Sequence, residues 1–262
     1  MELYKAICSG IVNGLVNLSP LSDGAHFEIF KAIIADNSEQ IALLLAMSSF
    51  GSLVALLFYF RLEYRALFRK TGKNKLIKLL LLAAPLCVAY PALMWLIEKS
   101  PVIMNPFFAI VMMLVSSIIV LNFNQIFRKK EIKERSMSKK RALITGFVSC
   151  LSLLPGLSRI MVSIVAGRAQ NIKEGKSLRY SILASAPFLL VVFIRALLMP
   201  GGTQFFTEQF GPILIANLVS FIITLFVIRF IMKHEEEKVV CYAAWYQATL
   251  ALFVLFFELV KI

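Results

Sequence analysis

Two short stretches of this chain, 136 positions apart, end in residues suited to holding a phosphate. The first reads Gly10-Ile-Val-Asn13-Gly-Leu-Val-Asn17-Leu-Ser-Pro20-Leu-Ser22-Asp23, and the second reads Gly146-Phe-Val-Ser149-Cys-Leu-Ser-Leu-Leu-Pro155-Gly156-Leu-Ser158-Arg159. Gly10, Val12, Leu15, Leu21 and Ser22 recur at that offset, a weak identity in a chain that is 59% hydrophobic. The chemistry at the ends carries more weight. A helix that starts after the breaks at Pro20 to Gly24 or Pro155 to Ser158 turns free N–H groups and a positive dipole end towards a ligand. Ser22 and Ser158 bring hydroxyl donors, and Arg159 brings a planar fork able to grip two phosphate oxygens. The bland account of Arg159 is a structural ion pair with Asp23, because buried ions are usually paired. His26 follows Asp23 by three residues, so on one helix the carboxylate could orient the ring. Asn13 and Asn17 are one helical turn apart and project from one face, where their amides can donate hydrogen bonds.

Such groups need elements to position them, and the composition points to a membrane. Mean hydropathy is +0.80, only 16% of residues are charged, and several apolar runs reach the ~20 residues that a helix needs to cross a bilayer core. The expected spans are 41–60, 76–97, 103–125, 180–199, 212–232 and 241–260, with Tyr59, Tyr90, Trp95 and Trp245 near ends where amphipathic rings favour headgroups. The fold class is therefore an all-α polytopic membrane protein with six transmembrane helices. No cleavable signal peptide is expected, since Asn13, Asn17, Pro20 and Asp23 interrupt the early apolar stretch. Cys8, Cys87, Cys150 and Cys241 lie far apart without metal-site spacing and read as buried small hydrophobes.

The net charge of +13 does not form a nucleic-acid face. Residues 61–78 hold Arg61, Arg65, Arg69, Lys70, Lys73, Lys75 and Lys78 against Glu63, and residues 128–141 hold eight Lys or Arg against Glu131 and Glu134. Both loops are expected on the cytoplasmic side, where they also touch anionic lipid headgroups. The charge-poor loop 200–211 and the acid-rich residues 1–40 are expected outside, which leaves both termini outside. The segment 142–178 then starts and ends inside and is re-entrant, and the segment 1–40 dips in from the outer face. Each is followed by three spans, which turns the second unit upside down: an inverted-topology repeat with two re-entrant helical hairpins. Repeat one is residues 1–126, a basic linker is 127–141, and repeat two is 142–262. Broken backbone at that depth is tolerable only around protein or a watery cavity, which places the site at the two breaks.

The stretch Asn13-Gly-Leu-Val-Asn17-Leu-Ser-Pro20-Leu-Ser22-Asp23-Gly24-Ala-His26 resembles the first signature of the undecaprenyl diphosphate phosphatases of the bacitracin-resistance type, E-G-x-T-E-F-L-P-x-S-S-T-G-H. Pro155-Gly156-Leu-Ser158-Arg159-Ile-Met-Val-Ser163 is similar to the second, P-G-x-S-R-S-G-A-T, which is the more specific match. The resemblance covers nearly the whole chain. It implies a bacterial plasma-membrane protein that removes the terminal phosphate of the polyprenyl carrier lipid of cell-wall synthesis. It further implies Ser22 or His26 as the reacting group; Asp23, which departs from the signature and brings a carboxylate, is the third candidate catalytic residue. Arg159, Ser158, Ser22, Gly156, Asn13, Asn17 and Ser163 become candidate phosphate-binding residues.

Departures from the signatures put hydrolysis in question. Asn13 and Asn17 stand where the family has glutamates, and an amide neither accepts a proton at neutral pH nor matches a carboxylate as a ligand for a hard cation. Mg²⁺ or Ca²⁺ is therefore expected only if the chain hydrolyses; Asp23, in place of a serine, returns one carboxylate. The alternative is a transporter, flippase or binder of the polyprenyl phosphate that does not cleave it. A homodimer stays open as an assembly, and a partner role without lipid phosphate is the remaining class. There is no Walker or Rossmann glycine pattern; Gly201-Gly202 reads as a turn, and Glu235-Glu236-Glu237 as a solvated turn. In a background without native cysteines, a cysteine at Ser136 is expected to label only from the cytoplasm and one at Thr203 only from outside. Labelling of both from one side breaks the inverted-repeat arrangement.

Overall fold

The computed structural model describes residues 2–34, 38–122, 136–172, 176–234 and 236–260. Five helical segments among them are long and apolar enough to cross a membrane: Glu39–Tyr59, Lys70–Glu98, Lys176–Leu198, Phe210–Lys233 and Glu237–Leu259. They coincide within a few residues with five of the six expected spans. The remaining expected span, 103–125, is described as the shorter apolar helix Pro106–Leu121, and residues 123–125 lie outside the described ones. So does most of the expected linker, of which only 136–141 is described.

The helices are α1 (Leu3–Val16), α2 (Asp23–Ile33), α3 (Glu39–Tyr59), α4 (Arg61–Leu67), α5 (Lys73–Glu98), α6 (Pro106–Leu121), α7 (Lys139–Ser149), α8 (Arg159–Ala169), α9 (Lys176–Leu183), α10 (Ser185–Leu198), α11 (Gly202–Glu208), α12 (Phe210–Lys233) and α13 (Glu236–Val260). Several starts follow from capping chemistry. Ser38, Ser138 and Ser158 each accept a hydrogen bond from a backbone N–H in the first turn of α3, α7 and α8, and Asn105 does so for α6, which has Pro106 at a position that lacks a required N–H. One expectation is corrected here. Glu236 and Glu237 open α13 rather than forming a loop, because acidic residues favour the positive end of a helix; Glu235 lies outside the described residues.

Two compact units are present. The first comprises Met1–Ser19, His26–Ile77 and Ile182–Lys233, and in it α1, α3 and α12 pack on one another while α10 packs on α3. Gly10 and Gly14, spaced four apart, let α1 approach α12 closely. A Cβ on Gly10 would stand 2.5 Å from the Ala216 carbonyl oxygen, and one on Gly14 2.5 Å from Ile223 Cβ. Gly51 of α3 meets the Asn217 backbone in the same way. Small residues serve helices in lipid because, with no hydrophobic force between them, close van der Waals contact and interhelical hydrogen bonds must hold them together.

Those hydrogen bonds form a buried ladder across α1, α3 and α12. Asn13 Nδ2 donates to the Leu45 carbonyl at 3.0 Å, the Ser48 hydroxyl at 2.7 Å and the Ser9 carbonyl at 3.2 Å. Asn17 Nδ2 donates to Asn13 Oδ1 and to Ser52 Oγ, both at 3.0 Å. Ser52 in turn meets Ser220 at 2.8 Å and Thr224 at 2.9 Å. Each such bond is worth about 0.6 kcal/mol between membrane helices, so the ladder adds register more than raw stability.

The second unit comprises Pro20–Ala25, Lys78–Ser181 and His234–Ile262. Here α13 packs along α6, and α7 packs back on α8 through the tight segment Cys150–Leu153. Helices of 11 residues such as α7 and α8 extend only about 16 Å, half the ~30 Å of a bilayer core. The break between them is held in place by Gly156, whose φ of 96° suits glycine. A side chain there would also strike the backbone of Ala109 and the Met112 Cβ of α6.

Candidate functional site

Within the second unit the structure brings together both sequence breaks. Ser22 is the residue before α2, and its hydroxyl oxygen accepts the Ala25 N–H at 3.3 Å as an N-cap. The same oxygen accepts the Gly156 N–H at 3.1 Å, across 134 residues of chain. One serine, fully buried, thus ties the first turn of α2 to the turn that leads into α8. Gly24 adds to the junction, since a Cβ on it would meet Pro155 at 3.5 Å. Ser158 caps α8 by accepting from Met161 N at 3.3 Å, so the start of α8 and the start of α2 are both organised by serines of the repeated motif.

Arg159 is the first residue of α8 and is 7% exposed. Its Nη2 stands 3.9 Å from Asp23 Oδ2, about 1 Å longer than a charge-assisted hydrogen bond. The pairing that is the structural alternative for these two residues is present, as a loose ion pair. A guanidinium at the start of α8, next to the Gly156 turn and the Ser22 hydroxyl, is a constellation for an oxyanion: a fixed positive charge, a helix N-terminus and hydroxyl groups within one turn. Ser163, one turn further along α8, is engaged elsewhere. It lies 2.7 Å from Ser149, whose hydrogen goes to the Thr145 carbonyl at 2.7 Å, so that Ser163 donates to Ser149 and closes α7 on α8.

The remaining expected residues lie in the first unit. Asn13 and Asn17 are buried rungs of the α1–α3–α12 ladder, and the two amide hydrogens of Asn13 already face three acceptors. His26 is half-buried on α2, one turn after Asp23. The reacting-group candidates differ in chemical readiness. The Ser22 oxygen accepts two N–H bonds, which lowers the electron density that it could offer to phosphorus and suits it to an architectural task.

A resident divalent cation does not fit the donors present. No group of three or more His, Cys, Asp or Glu side chains able to hold a metal occurs among the described residues. Positions 13 and 17 offer amides with committed hydrogens, and Asp23 faces a guanidinium that competes with any cation for its charge. Sequence reasoning missed three features that matter to this geometry: the Gly10–Gly14 contact with α12, the serine and threonine rungs contributed by α3 and α12, and the double acceptance by Ser22. The first had a signal in its four-residue glycine spacing; the others depend on contacts across more than 30 residues.

A chain whose described residues are helical, with several apolar helices of membrane-spanning length, is a multi-pass membrane protein. The sequence model of the bacitracin resistance protein BacA matches residues 6–253, and the chain belongs to that family. Among its relatives, an undecaprenyl-diphosphatase of Prosthecochloris aestuarii is 28% identical, covering 92% of this chain and 93% of its own length. That of Porphyromonas gingivalis is 27% identical over 88% of this chain and 87% of its own. One from Buchnera aphidicola is 25% identical over 85% of this chain and 84% of its own.

Arg159→Ala is expected to weaken the binding of a phosphate-bearing anion to purified protein by about 2 to 4 kcal/mol, as when one partner of a desolvated charged contact is removed. Arg159→Lys keeps the charge but loses the two-pronged grip, and falls between the two. Equal affinity for wild type and Arg159→Ala, measured on protein with an unchanged unfolding temperature, leaves Arg159 only as a structural partner of Asp23.

Proposed function

We propose that this chain binds the polyprenyl phosphate or diphosphate carrier lipid of bacterial cell-wall synthesis at the junction of Ser22, Gly156, Ser158 and Arg159. The observation that carries the reading is the Gly156 N–H bond to Ser22, which holds two helix starts and Arg159 around one point. The names of the relatives support the choice of lipid: they are undecaprenyl-diphosphatases. The protein then belongs in the plasma membrane with both termini outside. Six spans and two re-entrant hairpins, in repeats 1–126 and 142–262, set the breaks at mid-depth, where broken helices tolerate a cavity.

Hydrolysis is the step in which this chain departs from its family. Phosphoryl transfer depends on positioning and on cations that neutralise developing charge. The glutamates of the signature are asparagines here, and their amides hydrogen-bond to α3. The second reading follows from that observation: a member that binds the lipid phosphate and carries it across the bilayer without cleaving it. In both readings Arg159 neutralises the headgroup and the α2 and α8 termini orient it. Asp23 and His26 are the groups left to act on a proton.

Incubation of purified protein with undecaprenyl diphosphate and Mg²⁺ or Ca²⁺ separates the two. Phosphate release close to background from wild type is expected, with cation-dependent turnover gained by Asn13→Glu/Asn17→Glu. Robust wild-type release that Asp23→Ala abolishes instead restores an ordinary phosphatase with Asp23 in the metal or base role.

A further inference from the structure

Gln247 lies in the middle of α13, is fully buried, and its Nε2 and Oε1 have no hydrogen-bond partner among the described residues. A desolvated, unpaired amide costs about 1 to 3 kcal/mol, and such a group in an otherwise apolar helix face calls for a partner that the described residues do not supply. Its neighbours on the same face locate it. One turn before it, Ala243 and Ala244 cluster with Met161 of α8 and with Leu21. One turn after it, Ala251 clusters with Ala25 of α2 and with Ile110 and Met113 of α6. The level between them is that of the chain between Leu21 and Ala25, which contains Ser22, Asp23 and Gly24. It is also the level of Ser116 and Ser117 on α6, buried between the same two clusters, whose hydroxyls donate to the Met113 carbonyl at 2.9 and 2.8 Å.

We infer that Gln247 is a headgroup-binding residue, the amide of which completes the Ser22–Gly156–Arg159 cradle when a lipid phosphate enters. This rests on the function proposed above and adds to it a residue outside both signature motifs. The amide is a neutral donor, so it hydrogen-bonds to a phosphate oxygen without adding charge, and its unmet capacity in the lipid-free protein is met by the ligand. That arrangement has a signature that a merely structural glutamine lacks. Replacement by an apolar side chain of similar size relieves the lipid-free protein and harms only the complex.

The test measures affinity for undecaprenyl phosphate, and lipid-free unfolding temperature, on the full chain in lipid nanodiscs. Gln247→Leu is expected to bind about ten- to a hundredfold more weakly, the range for one hydrogen bond to a charged group, with an unfolding temperature equal to or above wild type. Gln247→Glu, which adds a negative charge facing the anion, is expected to bind more weakly still. Binding that requires Arg159 but is within twofold of wild type in Gln247→Leu overturns the role of Gln247 alone. No wild-type binding, or binding indifferent to Arg159→Ala, overturns the headgroup reading and the role of Gln247 with it.

Discussion

The Ser22 hydroxyl is the contact on which the candidate site depends. Helix starts leave N–H groups without partners, and a buried one costs free energy unless something accepts from it. Ser22 answers this for two places at once, accepting from Ala25 within its own helix and from Gly156 in a turn 134 residues away. Because the oxygen is shared, the break before α2 and the break before α8 hold a common position. Gly156 fits that position through its positive φ and its contact with α6. Arg159 is then placed by being the first residue of α8, where its loose pairing with Asp23 keeps the guanidinium beside the junction.

The same polar residue types do different work in the other unit. Along α1, α3 and α12, amides and hydroxyls bond to one another from Asn13 to Thr224, and glycines at 10, 14 and 51 bring the backbones close enough for the bonds to form. Carboxylates at positions 13 and 17 could not donate to Ser48 and Ser52 as the amides do. The asparagines thus serve as interhelical donors that lock α1 to α3.

Much of this was legible in the sequence, for reasons particular to certain residues. Five spans were readable because apolar length is a one-dimensional property, and their bounds agree within a few residues. The family was readable from Pro155-Gly156-Leu-Ser158-Arg159, and the bacitracin resistance match over residues 6–253 bears it out. The pairing of Arg159 with Asp23 was legible only as the structural alternative to phosphate binding, because a buried guanidinium needs a counter-charge. The partners of Asn13 and Asn17 were not, since Leu45, Ser48 and Ser52 lie about 35 positions away and nothing in local spacing selects them. Gln247 was invisible for a related reason: one amide in a long apolar helix acquires meaning only when the residues one turn to either side are seen against Leu21 and Ala25. The acidic run before α13 was misread as a loop because charge alone does not tell a turn from the first turn of a helix.

The most direct measurement is the structure of the protein in nanodiscs with undecaprenyl phosphate bound. The account predicts phosphate density within hydrogen-bonding distance of the Arg159 guanidinium and the start of α8, with Asp23 and Arg159 drawn apart as the anion takes the charge. Phosphate density located elsewhere, with the Arg159–Asp23 pair intact, would contradict it.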